Sequence, residues 1–210
     1  MTSTINPIKP TQKENTTTIF IAFLTAYITA SVASQFLTTT PVELMTVAGV
    51  PIWMPLSALT LVPLVDVLRS FTQDAAERIQ LNFRKTAGLM LGLSLLASGL
   101  CVIFAGLPLP IFTGVLLAIT IGGAVDVLVF RRMGKWFKTP AARMMFSNFA
   151  ATIVGSGIVF FVAFTDLLFV NNPLAKPLFD VTVGWLAQSA FIWAAGTVIA
   201  WGIQLLKGGK

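Results

Sequence analysis

Six apolar segments dominate this chain and leave it few folds to adopt. They cover residues 19–37, 47–68, 87–106, 111–130, 149–170 and 181–206. A helix needs roughly 20 mostly apolar residues to cross a hydrocarbon core of about 30 Å. With 56% hydrophobic and only 10% charged residues, the chain also lacks the charge of a typical water-soluble domain. We therefore predict an all-α integral membrane protein with six transmembrane helices.

The basic residues predict how these spans are oriented. If the spans alternate from a cytoplasmic N-terminus, only Lys176 of the 14 Lys and Arg residues lies outside. The others then lie on the cytoplasmic side: Lys9, Lys13, Arg69, Arg78, Arg84, Lys85, Arg131, Arg132, Lys135, Lys138, Arg143, Lys207 and Lys210. Lys and Arg in short loops favour the cytoplasm. Both termini are therefore predicted to be cytoplasmic, and the net charge of +6 needs no nucleic-acid partner.

The chain divides into a polar tail over residues 1–18, a single membrane domain over 19–206 and a basic tail over 207–210. The polar start followed by an apolar run is also partly typical of a cleavable signal peptide. An uncleaved first helix after a short tail is the simpler interpretation. We predict a multi-pass protein of a bacterial-type cytoplasmic (inner) membrane.

Residue usage excludes most enzyme classes. The chain has no histidine, and its single cysteine, Cys101, lies in an apolar run. Disulfide frameworks, Cys/His zinc sites and histidine general bases are therefore excluded. No Gly-rich lysine loop for phosphates occurs either. We predict a protein that is not an enzyme and that has no cofactor and no metal.

Two local patterns concern span two and the segment after it. Pro51, Pro55 and Pro63 interrupt the span; broken helices at membrane depth often line substrate sites, although Pro51 and Pro55 fit a helix start equally well. Asp74 and Arg78 are four residues apart, which predicts an ion pair on a short interfacial helix.

Two acidic residues at membrane depth are the main candidates for function. Asp66 and Asp126 each occur in the tetrapeptide Val-Asp-Val-Leu near the predicted cytoplasmic end of a span. A carboxylate there is costly unless it is paired, hydrated or protonated, and such residues usually mark a substrate, ion or proton path. The alternative is interfacial pairing with Arg69 or Arg131.

Further polar candidates lie in spans five and six. Asn148, Thr152 and Ser156 follow the first half of span five, and in span six Gln188 lies close to Trp185. A carboxamide can read the hydrogen-bonding edge of a flat heteroaromatic ligand, and an indole can stack on its face. We therefore predict that these side chains bind substrate, and that the two Asp residues bind the substrate or a coupled proton.

Three stretches carry a resemblance to a known family. They are Pro63-Leu-Val-Asp66-Val through Glu77-Arg78, then Gly123-Ala-Val-Asp126-Val-Leu-Val-Phe130-Arg131-Arg132, then Arg143-Met-Met-Phe-Ser147-Asn148 through Phe160-Phe161-Val-Ala163-Phe164. Over residues 56–206 the chain resembles the queuosine precursor transporter family, also called the vitamin uptake transporter family. It departs from the family at Gly155, where members tend to carry an Asp.

The resemblance implies six spans with both termini inside and the uptake of 7-deazaguanine bases such as 7-cyano-7-deazaguanine. Beside this importer, two alternatives stay open. One is a substrate-binding subunit of a multi-component uptake transporter, which docks through a small-residue stripe on span one formed by Ala22, Ala26 and Ala30. The other is an intramembrane metal-dependent enzyme. The expected partners are a purine-like small molecule, the lipid bilayer and either energising subunits or a second copy of the chain.

Overall fold

The structure is a computed structural model that describes residues 10–47, 49–106 and 108–208. Its elements in chain order are α1 (Pro10–Thr38), β1 (Pro41–Val47), β2 (Val50–Pro55), α2 (Leu56–Thr60), α3 (Val62–Arg78), α4 (Phe83–Ala105), α5 (Leu109–Leu117), a π-helical segment (Ala118–Gly122), α6 (Gly123–Met133), α7 (Pro140–Ala163) and α8 (Leu178–Gly208). The π-helical segment joins α5 and α6 into one continuous helix.

The fold is mostly helical, as predicted, and four of its helices are long and apolar enough to span a membrane. They cover Asn15–Thr38, Leu109–Met133, Pro140–Ala163 and Leu178–Leu206. Helix α4 contains a shorter apolar stretch, Lys85–Cys101. Length and composition therefore support a membrane protein.

The predicted second span, residues 47–68, is not a single helix, and this part of the prediction is wrong. Strand β1 pairs antiparallel with β2, and Gly49, at φ +82°, lies in the turn between them. Pro51 and Pro55 lie in β2, where an edge strand tolerates a residue without an N–H. Pro63 lies in the first turn of α3, where the N–H has no helical partner. The prolines therefore mark a hairpin and a helix start rather than kinks.

Helix α3 continues across the predicted boundary between span two and the following loop. It buries polar as well as apolar side chains because it packs against α1, α4, α7 and α8. Some of its hydroxyls bond back to the helix: Thr72 Oγ1 donates to the Leu68 carbonyl at 2.7 Å. The predicted pair between Asp74 and Arg78 is confirmed at 2.9 Å, although on α3 itself rather than on a separate interfacial helix.

Two groups of helices meet at the centre of the bundle. Helix α1 packs against α3 and α4, while α7 packs against α5, α6 and α8; the groups join where α3 contacts α7 and α8. The π-helical segment approaches α7 closely at Gly122, where a Cβ atom would lie 3.0 Å from the Gly155 Cα. Gly122 and Gly155 both line the central cavity of the bundle, so this close approach sets the position of one of its walls.

Candidate functional site

A cavity of about 150 Å³ lies at the centre of the bundle, between α1, α3, the π-helical segment, α7 and α8. On α1 its lining extends from Tyr27 to Thr38, which corresponds to about 16 Å along the helix axis. Its polar lining consists of Tyr27, Ser31, Ser34, Gln35, Thr38, Ser57, Asp66, Arg69, Thr152, Ser156 and Gln188. The cavity therefore brings together four of the predicted site residues, namely Asp66, Thr152, Ser156 and Gln188.

The Arg69 guanidinium joins the two predicted carboxylates. Its Nη2 donates to Asp66 Oδ1 at 2.9 Å, and its Nε donates to Asp126 Oδ2 at 2.9 Å. Helix α3 makes this arrangement possible because Asp66 and Arg69 are one turn apart, whereas Asp126 comes from α6. Two carboxylates thus share one guanidinium, which leaves this triad with one excess negative charge.

The two carboxylates differ in their access to the cavity. Asp66 lines it, and its side chain keeps 11% of its surface exposed. Asp126 is outside the lining and its side chain is fully buried. Asp66 also lies beside Thr152, which is in the middle of α7. The sequence analysis expected Asp66 near the cytoplasmic end of a span, so its carboxylate lies deeper in the bundle than expected.

Helices α7 and α8 supply the uncharged polar wall. The Ser156 hydroxyl donates to the Thr152 carbonyl at 2.5 Å and bonds to Ser189 Oγ at 2.8 Å. Gln188 is 5% exposed, and within the described part of the chain its Oε1 has no hydrogen-bond partner. Thr152 Oγ1 is in the same situation, so Gln188 and Thr152 are the lining residues with the clearest capacity to bond a ligand.

Trp185 and Asn148 lie outside the cavity lining, unlike the other candidates on α7 and α8. The Trp185 indole donates to the Ile153 carbonyl at 3.0 Å, so it holds α7 against α8. Asn148 lies against Gly196, which is eight residues beyond Gln188 on α8, or about 12 Å along its axis. The two carboxamides therefore do not read the same ligand edge in this structure.

Several lining residues were missed in the sequence analysis. Arg69 was considered only as an interfacial partner of the two carboxylates. That pairing is confirmed, but the Arg69 side chain is 12% exposed and lies between two helices of the bundle. The polar face of α1 was also missed, although a signal was present: Ser31, Ser34, Gln35 and Thr38 follow the spacing of one helical face.

Comparison of the chain with protein-family models, with curated proteins and with solved structures finds no match in any of the three.

Proposed function

We propose that the protein is a six-span importer of a small purine-like base in a bacterial-type cytoplasmic membrane, with both termini inside. The observation that carries this proposal is the central cavity with the Asp66 carboxylate on its wall. An acidic side chain at membrane depth usually belongs to a substrate or ion path. In this topology, α4 and the consecutive helices α2 and α3 add two crossings to the four long apolar helices.

The chemistry of the lining supports a planar, hydrogen-bonding ligand. Asp66 is an acceptor with more lone pairs than its partner Arg69 occupies, and Gln188 adds an amide with an unpartnered oxygen. The remaining lining is largely apolar and would contact the faces of a ring. A base with N–H donors on one edge matches this combination.

The size of the cavity supports the same class of ligand. A cavity of about this volume accommodates a benzene-sized ring. The cavity is not sealed, so a base of two fused rings can extend into its mouth. Following the family resemblance, we propose 7-deazaguanine bases such as 7-cyano-7-deazaguanine as substrates.

Uptake of a labelled 7-deazaguanine into cells that lack their own precursor synthesis tests this function. We expect Asp66→Asn to lower uptake and to weaken binding to the purified protein by five- to 150-fold, because a ligand donor loses its charged acceptor at about 1–3 kcal/mol. Asp74→Asn is the matched control, since it removes another Arg-paired carboxylate of α3 outside the cavity. Normal uptake by Asp66→Asn at equal expression would contradict the proposal.

A substrate-binding subunit of a multi-component transporter is the second candidate. One observation favours it: Ala22 and Ala26, of the small-residue stripe on α1, are exposed, while Ala30 is buried. Small residues allow another helix to approach closely in a membrane. Copurification of ATPase subunits with the chain, abolished by Ala26→Phe, would support this candidate over an independent importer.

An intramembrane metal enzyme receives less support from the site. Such an enzyme would need the two carboxylates to face a shared metal ion. The Arg69 guanidinium occupies the position between them, with Nη2 2.9 Å from Asp66 Oδ1 and Nε 2.9 Å from Asp126 Oδ2. The two oxygens that bond Arg69 are thereby withdrawn from coordinating a metal.

A further inference from the structure

Asp126 is the more deeply buried of the two carboxylates, and the proposed substrate contacts do not involve it. Its Oδ2 accepts the bond from Arg69 Nε, while its Oδ1 is buried with no hydrogen-bond partner among the described residues. A buried polar atom without a partner is rare in proteins, and a functional role or a bound ion is one explanation for it. Asp126 Oδ1 is therefore a candidate acceptor for a ligand, an ion or a proton.

The charges around Asp126 favour a positively charged ligand. Arg69 on α3 bonds both Asp126 and Asp66, and Tyr27 on α1 lies near Arg69. Four residues after Asp126 on α6, the Phe130 ring lies under Arg143 of α7, and Arg143 pairs with Glu77. Arg143 is thus already neutralised, and the triad keeps its excess negative charge. Such a charge is expensive at membrane depth, so one added positive charge would stabilise this region.

Helix α7 presents further unpartnered polar atoms at the level of Asp126. Two contacts fix how α6 lies along α7: Gly122 packs on Gly155, and the Phe130 ring lies under Arg143. Asp126 is midway between Gly122 and Phe130 in the chain, so it lies at the level of residues 147–151 of α7. Ser147 is 0% exposed and Asn148 is 1% exposed. The Ser147 hydroxyl and both amide atoms of Asn148 have no partner in the described part of the chain.

We propose that Asp126 carries an exchangeable proton and that this proton enters the cell with the substrate. A proton on Oδ1 converts an unpartnered acceptor into a donor, and it cancels the excess charge of the triad. Water delivers the proton on the side where the substrate enters and accepts it on the other side. The coupling to import rests on the proposed function, whereas protonation of Asp126 does not.

Infrared difference spectroscopy on the purified full chain tests the protonation. Between low and high pH we expect the carbonyl stretch of a protonated carboxyl in the wild-type protein, its loss in Asp126→Asn and its retention in Asp74→Asn. The absence of a band, or a band that survives Asp126→Asn, overturns the assignment.

Proteoliposomes that contain a pH-sensitive dye test the coupling. Adding a 7-deazaguanine base outside is expected to acidify the lumen with wild-type protein and with Asp74→Asn, and about tenfold more slowly with Asp126→Asn. Uptake that requires a Na⁺ gradient and leaves the lumenal pH unchanged overturns proton coupling. If no base enters at all, the proposed function fails, while the infrared band still decides whether Asp126 is protonated.

Discussion

The two sides of the cavity treat their polar side chains differently. On the α1 side, polar groups pair with one another across helices. The bonds are Tyr27 Oη with Ser94 Oγ at 2.7 Å, Gln35 Nε2 to Ser98 Oγ at 2.8 Å and Thr38 Oγ1 with Ser57 Oγ at 3.0 Å. Since lipid supplies no hydrophobic force between helices, such bonds help to hold α1 against α4 and α2.

The opposite side leaves several buried polar atoms unpaired. On the cavity wall these atoms are Gln188 Oε1 on α8 and Thr152 Oγ1 on α7, which are buried without a partner among the described residues. Outside the lining, the same holds for Ser147 Oγ, the Asn148 amide and Asp126 Oδ1. Groups that hold a fold are expected to be satisfied in the folded protein, whereas groups that bind a ligand are satisfied only when it arrives. The difference indicates that the α1 side serves packing and the α6–α8 side serves binding.

Removing Arg69 is expected to have the largest effect, because Arg69 connects the two sides. Arg69→Gln leaves two buried carboxylates without their cation, which should lower the free energy of unfolding by about 3–5 kcal/mol. Thermal unfolding in detergent measures this. Arg78→Gln is the control: its side chain is 64% exposed, so its pair with Asp74 should contribute less than about 1 kcal/mol. Equal melting temperatures for the two variants would show that the triad does not stabilise the bundle.

Removing Gln188 should affect binding more than stability. Gln188 Oε1 has no hydrogen-bond partner among the described residues, so Gln188→Leu removes no internal bond of this atom. The melting temperature should therefore stay close to that of the wild-type protein. The affinity for a 7-deazaguanine, measured by calorimetry, should fall five- to 150-fold because a ligand group loses its partner.

Gln204→Glu provides the matched control for Gln188. Gln204 Oε1 accepts the Ala141 N–H at 3.2 Å near the start of α7, where a carboxylate can accept the same bond and suits the positive end of the helix. This variant should change neither affinity nor stability. A Gln188→Leu protein that melts far below wild type but binds normally would reverse the roles assigned to the two sides.

The smallest effect is expected for Ser94→Ala on the α1 side. The substitution removes the partner of the Tyr27 hydroxyl, which should cost about 0.5–1.5 kcal/mol of stability. Ser94 does not line the cavity, so we expect the affinity for the base to follow the wild-type value. A loss of affinity greater than the loss of stability would place the α1 side in the binding site.

Parts of this arrangement were predictable from local patterns. The repeated Val-Asp-Val-Leu segments indicated two related carboxylates, and the structure places both within reach of Arg69. The ion pair between Asp74 and Arg78 followed from helical spacing. By contrast, the interval over residues 47–68 was misinterpreted because average hydropathy does not distinguish an apolar strand and a helix start from a single apolar helix.

The sequence by itself determined that the chain is a helical membrane protein, because apolar length and the scarcity of charge are properties of the chain alone. Only the tertiary structure decided which polar residues act together. Asp66 and Asp126 share Arg69, Gln188 faces the cavity, and Trp185 bonds the α7 backbone instead. The physical reason is that a buried polar group is stabilised or left unpaired by partners on other helices, and helix packing brings those partners together without regard to their distance along the chain.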